Sequence, residues 1–161
     1  MEILLKKINN SDICQIKQWI KDIEADNYMS RFYPKAFDGK IEDTGVYLWF
    51  VIVAGEYNIG TIWVERDTID TNEATLGIFI GVKDKFGQGI GRIAIGKIIE
   101  LSVKKWKLKA IRLNVRKDNK RAIKCYESCN FIIVGEGTKL NSNGQFIEFF
   151  EMRYEPSLIY D

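Results

Sequence analysis

Residues 81–91 read GVKDKFGQGIG, and this stretch decides the fold: it ends a strand pattern and opens a helix pattern. Glycines at 87, 89 and 91 remove side chains where the chain turns into the helix. Several backbone N–H groups can therefore converge on one anion at the positive end of the helix dipole. A phosphorylated ligand is the natural occupant. A Walker A loop would need a lysine followed by Ser or Thr after the last glycine, whereas Arg92 and Ile93 stand there, which argues against nucleoside triphosphate binding by that route. Gly89, Gly91 and Ala94 imitate a GxGxxA dinucleotide fingerprint, with Asp118 near the position of its acidic ribose partner. That motif belongs to alternating strands and helices, and the segments before this loop read as closely spaced strands joined by short turns.

Upstream of the loop, Glu73 to Val82 is a strand with Leu76, Ile78, Ile80 and Val82 on one face, and Gly81 near its end suggests a bulge. Downstream, Ile90, Ile93, Ala94, Ile98 and Leu101 follow helical spacing from Gly89. Ala110 to Val115 reads as a strand, and a helix starts near Asn119, runs through Ala122, Ile123 and Tyr126, and ends at Asn130. The Asn141-Ser142-Asn143-Gly144 turn joins Phe131–Lys139 to Gln145–Tyr154 as a hairpin. Toward the amino terminus, Glu2 to Ile8 is a strand, and Asn10 or Ser11 caps a helix carrying Ile13, Ile16, Ile20 and Ile23. A second short helix or loop through Asp26 to Tyr33 is closed by Pro34. Val46–Val53 and Ile59–Arg66 form another hairpin, and the tail from Pro156 adds little.

With 161 residues, 46% of them hydrophobic, the chain suits one domain spanning 1–161. No apolar run approaches a membrane span and Met1 to Asn10 lacks a signal-peptide core, so a soluble, cytoplasmic protein with no membrane partner is expected. Cys14, Cys125 and Cys129 are too few and too odd in number for a disulfide framework. Histidine is absent, which excludes a Ser-His-Asp triad, a Cys-His pair and histidine-containing zinc sites within this chain. Cys125 and Cys129 share a helix face but read as small core residues rather than metal ligands, so no metal is expected.

Residues 1–82 carry 8 basic and 13 acidic side chains, and residues 83–161 carry 16 basic and 9 acidic. A basic half that begins at the glycine loop suits a polyphosphate, and an acidic half suits a cationic partner such as an amine. Lys104, Lys105, Lys107, Lys109 and Arg112 form a basic cluster without a nucleic-acid reading motif, so no nucleic-acid partner is expected.

The loop Phe86-Gly87-Gln88-Gly89-Ile90-Gly91, followed by DNKRAIKCYESCNF with Asn119, Ala122, Tyr126 and Phe131 at N-x-x-A-x-x-x-Y-x-x-x-x-F spacing, resembles the GNAT superfamily of N-acetyltransferases. The resemblance covers nearly the whole chain by element order. It departs at Phe86, where the family has Gln or Arg, and at Asn130, where glycine is usual. It implies an α/β (α+β) fold with a mixed, mostly antiparallel central sheet of about seven strands flanked by about four helices. It also implies acetyl-CoA (coenzyme A) as the cofactor and a small-molecule amine as the partner, and it allows a homodimer.

Carried onto this sequence, the resemblance gives the pyrophosphate to backbone groups from Gly87 and Gln88 through Gly89, Ile90, Gly91 and Arg92. It gives the pantetheine arm to Ile80, Gly81 and Val82, paired like an added strand, and to Asn119. Tyr126 is the implied acid, since a phenol held near the sulfur can return a proton to the departing thiolate. The oxyanion falls to a backbone N–H at Gly81 or Val82. Glu73 is the candidate base, working through water, with Glu65 the alternative. Glu65 and Asp26 are the candidate substrate contacts. The closing segment and the strand before the loop look similar to a branch containing aminoglycoside 6′-N-acetyltransferases, spermidine acetyltransferases and ribosomal-protein N-terminal acetyltransferases. Gly77 stands where many aminoglycoside-acetylating relatives have Asp. Asp22, Glu24, Asp26, Asp38, Glu42 and Asp43 favour a polycationic acceptor, with a protein amino terminus or a non-catalytic acyl-CoA-binding module as the alternatives.

Overall fold

The computed structural model describes residues 1–157, so the tail expected from Pro156 lies almost wholly outside the described residues. Seven strands form one sheet: β1 (Ile3–Lys7), β2 (Tyr47–Ala54), β3 (Tyr57–Glu65), β4 (Glu73–Ile80), β5 (Ala110–Arg116), β6 (Ile132–Leu140) and β7 (Phe146–Tyr154). Their order across the sheet is β1-β2-β3-β4-β5-β7-β6, and every neighbouring pair is antiparallel except β4 with β5. Among the described residues three α-helices pack on it, α1 (Ile13–Asp22), α2 (Ile90–Trp106) and α3 (Lys120–Ser128). The short helix or loop expected through Asp26–Tyr33 is a single 3-10 turn over Ala25–Asn27 followed by irregular chain. It opens on Glu24 in the left-handed region at φ 51°, and Pro34 forbids continuation.

The sheet buries both faces, which is why β2 and β3 read as continuous apolar runs rather than alternating ones. On one face α2 and α3 cover Ile62, Val64, Leu76, Ile111, Leu113 and Met152. On the other, α1 and the chain after it cover Trp49, Val51, Trp63 and Phe79. Two glycines of the β4 segment are explained by that second face. A Cβ at Gly77 would run into the indole of Trp63, and one at Gly81 into Trp19. The bulge expected at Gly81 is not there: β3 and β4 keep one register from Gly60↔Ile80 to Glu65↔Thr75, and the glycine answers a tertiary clash instead.

The feature that positions the site is how briefly β4 and β5 pair. They share only Glu73↔Ala110, Ala74↔Ile111 and Thr75↔Arg112, while β4 goes on to Ile80 and β5 to Arg116. Beyond the third rung the two strands diverge and the sheet splits.

Candidate active site

A cavity of about 770 Å³ occupies this split. Its walls come from both faces of the sheet: the glycine loop and α3 on one side, and residues 28–31 with Lys35, Phe149, Glu151 and Lys139 on the other. Its volume falls within the range of small-molecule and cofactor sites.

The loop end is built for an anion. Gly87 and Gly89 take left-handed conformations, φ 73° and 77°, that a side chain would resist. Gly89 caps α2, whose first bond is Ile93 N–H to the Gly89 carbonyl. Among the described residues no acceptor takes the N–H groups of Gly87 to Arg92, so the orphan donors at this helix start are free for a ligand. Gln88 turns its side chain back, donating from Nε2 to the Asp84 carbonyl at 2.7 Å, and contributes no side chain to the cavity wall. Lys85, Arg92, Arg121 and Lys124 add positive charge to the lining here. Arg121, on the first turn of α3, lies 4.0 Å over the ring of Phe86. Position 86, where the resemblance expects Gln or Arg, thus has a guanidinium laid over its ring from the neighbouring helix.

Along the split, peptide groups face the gap. Gly81 N–H donates to the Ile59 carbonyl at 2.7 Å, and bonded rungs alternate in an antiparallel ladder. The N–H and C=O groups of Ile78 and Ile80 therefore turn away from β3 and toward the divergent β5. Of the expected oxyanion donors, the Gly81 N–H is already bonded and shielded by Trp19, and neither Gly81 nor Val82 lines the cavity. Asn119 does line it, but its Oδ1 caps α3 by accepting from Ala122 N–H at 3.3 Å.

Tyr126 lines the cavity from α3, tilted against Phe131 with ring centroids 5.9 Å apart. Burial pushes its phenol well above the ordinary tyrosine range, and the neighbouring Cys125 and Cys129 add to the effect. The hydroxyl therefore keeps its proton at neutral pH, as an acid must. Cys125 and Cys129 share a hydrogen bond that draws the Cys129 thiol down to about 7 and pushes Cys125 up. Cys125 packs against Gly91, where an added Cβ would lie 3.3 Å from its sulfur.

The expected carboxylates fare differently. Glu73 lies outside the cavity wall, on the paired stretch of β4, and forms an ion pair with Arg153; its geometry does not suit a base. Asp26 is exposed and off the wall, and only its backbone carbonyl is engaged, by Arg116 Nη1 at 2.7 Å. Glu65 reaches the cavity and is buried, but its Oε2 accepts from Lys35 N–H at 2.6 Å and its Oε1 meets Arg31 at 3.5 Å. It anchors the segment after α1. Of the acidic residues singled out in the first half, none of Asp22, Glu24, Asp38, Glu42 or Asp43 touches the cavity. Sequence reasoning missed Glu151, Arg116 and Lys139, which β5, β7 and β6 bring to its wall.

Residues 13–131 match the Acetyltransferase (GNAT) family, and the chain belongs to that family. It is 26% identical over 136 residues to Acetyltransferase PseH of Campylobacter jejuni subsp. jejuni serotype O:23/36 (strain 81-176), covering 84% of this chain and 79% of that one. Among solved structures it resembles the Vibrio cholerae spermidine N-acetyltransferase in complex with CoA and spermine, with TM-score 0.80, 22% identity and 96% of each chain covered. It also resembles the aminoglycoside acetyltransferase AAC(6')-Ib in complex with coenzyme A, with TM-score 0.75, 15% identity and 97% and 96% covered. At these identities the two structures speak for the fold. Membership makes the protein an acetyltransferase that uses acetyl-CoA, and the orphaned donors beside Gly87 and Gly89 fit its diphosphate. No helix among the described residues is long and apolar enough to cross a membrane.

Proposed function

We propose that this chain moves the acetyl group of acetyl-CoA to a primary amine of a small acceptor by direct attack within a ternary complex. The observation that carries this reading is the continuity of one cavity. It joins the N–H cradle at Gly87–Arg92, the gap-facing peptides of Ile78 and Ile80, the phenol of Tyr126 and the opposite face of the sheet.

Bound acetyl-CoA supplies an activated acyl group as its thioester. The loop would hold the diphosphate, and Ile78 and Ile80 would pair with the arm in the place that β5 vacates. A gap-facing N–H, from Ile78 or Ile80, would stabilise negative charge on the thioester oxygen. Tyr126 holds a proton at Oη for the leaving sulfur. The amine must be neutral to attack, and of the three cavity carboxylates only Glu65 is held by an ion pair and a hydrogen bond, while Asp67 and Glu151 have neither among the described residues; Glu151, on the β7 strand beside the split, is our candidate acceptor of that proton. A cytoplasmic setting is supported by the unpaired state of all three cysteines.

A polycationic acceptor was the expectation from the acidic first half, and the cavity gives it little support, because those carboxylates lie elsewhere. The test is calorimetry with acetyl-CoA followed by thiol release across an amine panel. Turnover only on a peptide amino terminus would move the assignment to a protein acetyltransferase. Tight cofactor binding without turnover on any amine would leave an acyl-CoA-binding module.

A further inference from the structure

The cavity wall opposite α3 carries basic side chains beside the carboxylates of Glu65 and Glu151. Arg116, on β5, and Lys139, on β6, both line it, and neither has an acidic partner among the described residues. Arg116 spends donors on the carbonyls of Asp26 and Met29 and on Ser30 Oγ, at 2.7, 3.2 and 3.3 Å, and its Nε is buried with no acceptor. A buried guanidinium N–H left unpaired is costly. Lys139 is half-buried, with its ammonium 5.5 Å from the centroid of the Phe149 ring. Desolvation lowers its affinity for a proton, and the nearby charges of Arg116 and Arg31 lower it further. Arg31 is already matched by Glu65.

Two cations held near each other without an ion-pair partner of their own repel, and an anionic ligand group would relieve that repulsion. Two glycines keep this floor open. A Cβ at Gly137 would press on the Phe149 ring at 2.7 Å, and one at Gly135 would meet Glu151 Oε2 at 3.0 Å. Glu151 and Phe149 sit on the successive same-face rungs Gly135↔Glu151 and Gly137↔Phe149, and Lys139↔Ile147 is the next. One face thus presents a carboxylate, an aromatic ring and an ammonium in sequence.

We infer that the acceptor carries, besides its amine, an anionic carboxylate or phosphate group received by Lys139 and Arg116. The amine points toward Glu151, and the body of the acceptor lies over Phe149. This deepens the acetyltransferase reading above and rests on it.

The test uses full-length protein and matched acceptor pairs: 2-aminoethyl phosphate with ethanolamine, β-alanine with β-alaninamide, and glucosamine 6-phosphate with glucosamine, with spermidine as the polycation. Thiol release is measured for each at saturating acetyl-CoA. The expected result is a kcat/KM higher by about 10-fold or more for the anionic member of at least one pair, the size of one charge-assisted hydrogen bond. The phosphate and carboxylate pairs separate the two anion types. Lys139→Glu should abolish that preference and Lys139→Gln should reduce it, while acetyl-CoA affinity by calorimetry stays within about 2-fold, since Lys139 lies across the cavity from the loop. A preference for spermidine or the neutral members, no turnover on any anionic member, or a preference untouched by Lys139→Glu would overturn the inference. Failure of acetyl-CoA to bind would instead overturn the proposed function.

Discussion

Arg121 lies with its guanidinium 4.0 Å over the Phe86 ring, so α3 supplies to the glycine loop a charge that the loop's own sequence lacks. Arg121→Ala should weaken acetyl-CoA binding by about 10-fold, and Phe86→Ala by less, since the ring only orients the charge. Calorimetry in low and high salt checks this: the wild-type advantage over Arg121→Ala should shrink as ionic strength rises. An unchanged affinity in Arg121→Ala would remove the residue from the diphosphate site.

Gly89 caps α2 in the left-handed region at φ 77° with nothing within 4 Å of an added Cβ. The cost of Gly89→Ala is therefore backbone strain alone, about 1 kcal/mol. The strain should be relieved by re-aiming the loop, which would lower acetyl-CoA affinity by more than the small loss in thermal stability suggests. A variant that binds the cofactor as tightly as wild type would show that the cradle tolerates a shifted helix start.

Tyr126→Phe should lower kcat by about 100-fold or more with little change in acetyl-CoA affinity, because the ring packing survives and only the proton donor goes. The sign of the pH effect follows from the upward push on its phenol. An acid is active while protonated, so the activity it supports is lost only as pH rises through its own elevated titration. No alkaline limb from Tyr126 should therefore appear below about pH 10, the ordinary phenol value. A wild-type kcat that falls between neutrality and that point, with the fall missing in Tyr126→Phe, would contradict the burial described here.

The two glutamates first considered as bases should separate cleanly. Glu73→Gln removes an ion pair to Arg153 at the strand surface and should leave kcat unchanged, with a stability loss of about 1 kcal/mol at most. Glu65→Gln weakens the anchor on Lys35 N–H and Arg31 and should cost about 1–3 kcal/mol of stability, since a buried charge-assisted bond is lost. Its kinetic effect should fall on the acceptor KM, through the displaced segment after α1, and not on acetyl-CoA binding. A kcat loss in Glu73→Gln at unchanged stability would restore it to the mechanism.

Local chemistry explains what could be read from the chain. Gly87 and Gly89 adopt the positive φ that their residue type permits, Asn119 caps α3 as its side chain favours, and Asn130 ends that helix at φ 70°. These follow from neighbours in sequence, and so the loop and the helices α2 and α3 were legible, while Tyr126 was singled out through the family resemblance. The rest depended on partners distant along the chain. Gly81 invited a bulge because nothing nearby in sequence announces Trp19. Glu73 looked like a base because only the β5–β7 pairing brings Arg153 across from it. The acidic first half suggested a polycation because charge totals do not say which side chains reach a cavity. Arg116, Lys139 and Glu151 stayed hidden because β7 inserts between β5 and β6, an order that no local pattern encodes.

The three-rung pairing of β4 with β5 leaves the sheet as two leaves, β1 to β4 and β5-β7-β6, joined at one end. An extended cofactor arm laid between them would act as a removable stitch, converting two semi-independent halves into one cooperative unit. Acetyl-CoA should then slow amide exchange on both sides of the seam, at Ile78 and Ile80 and also along Leu113 to Arg116, well beyond the atoms it touches.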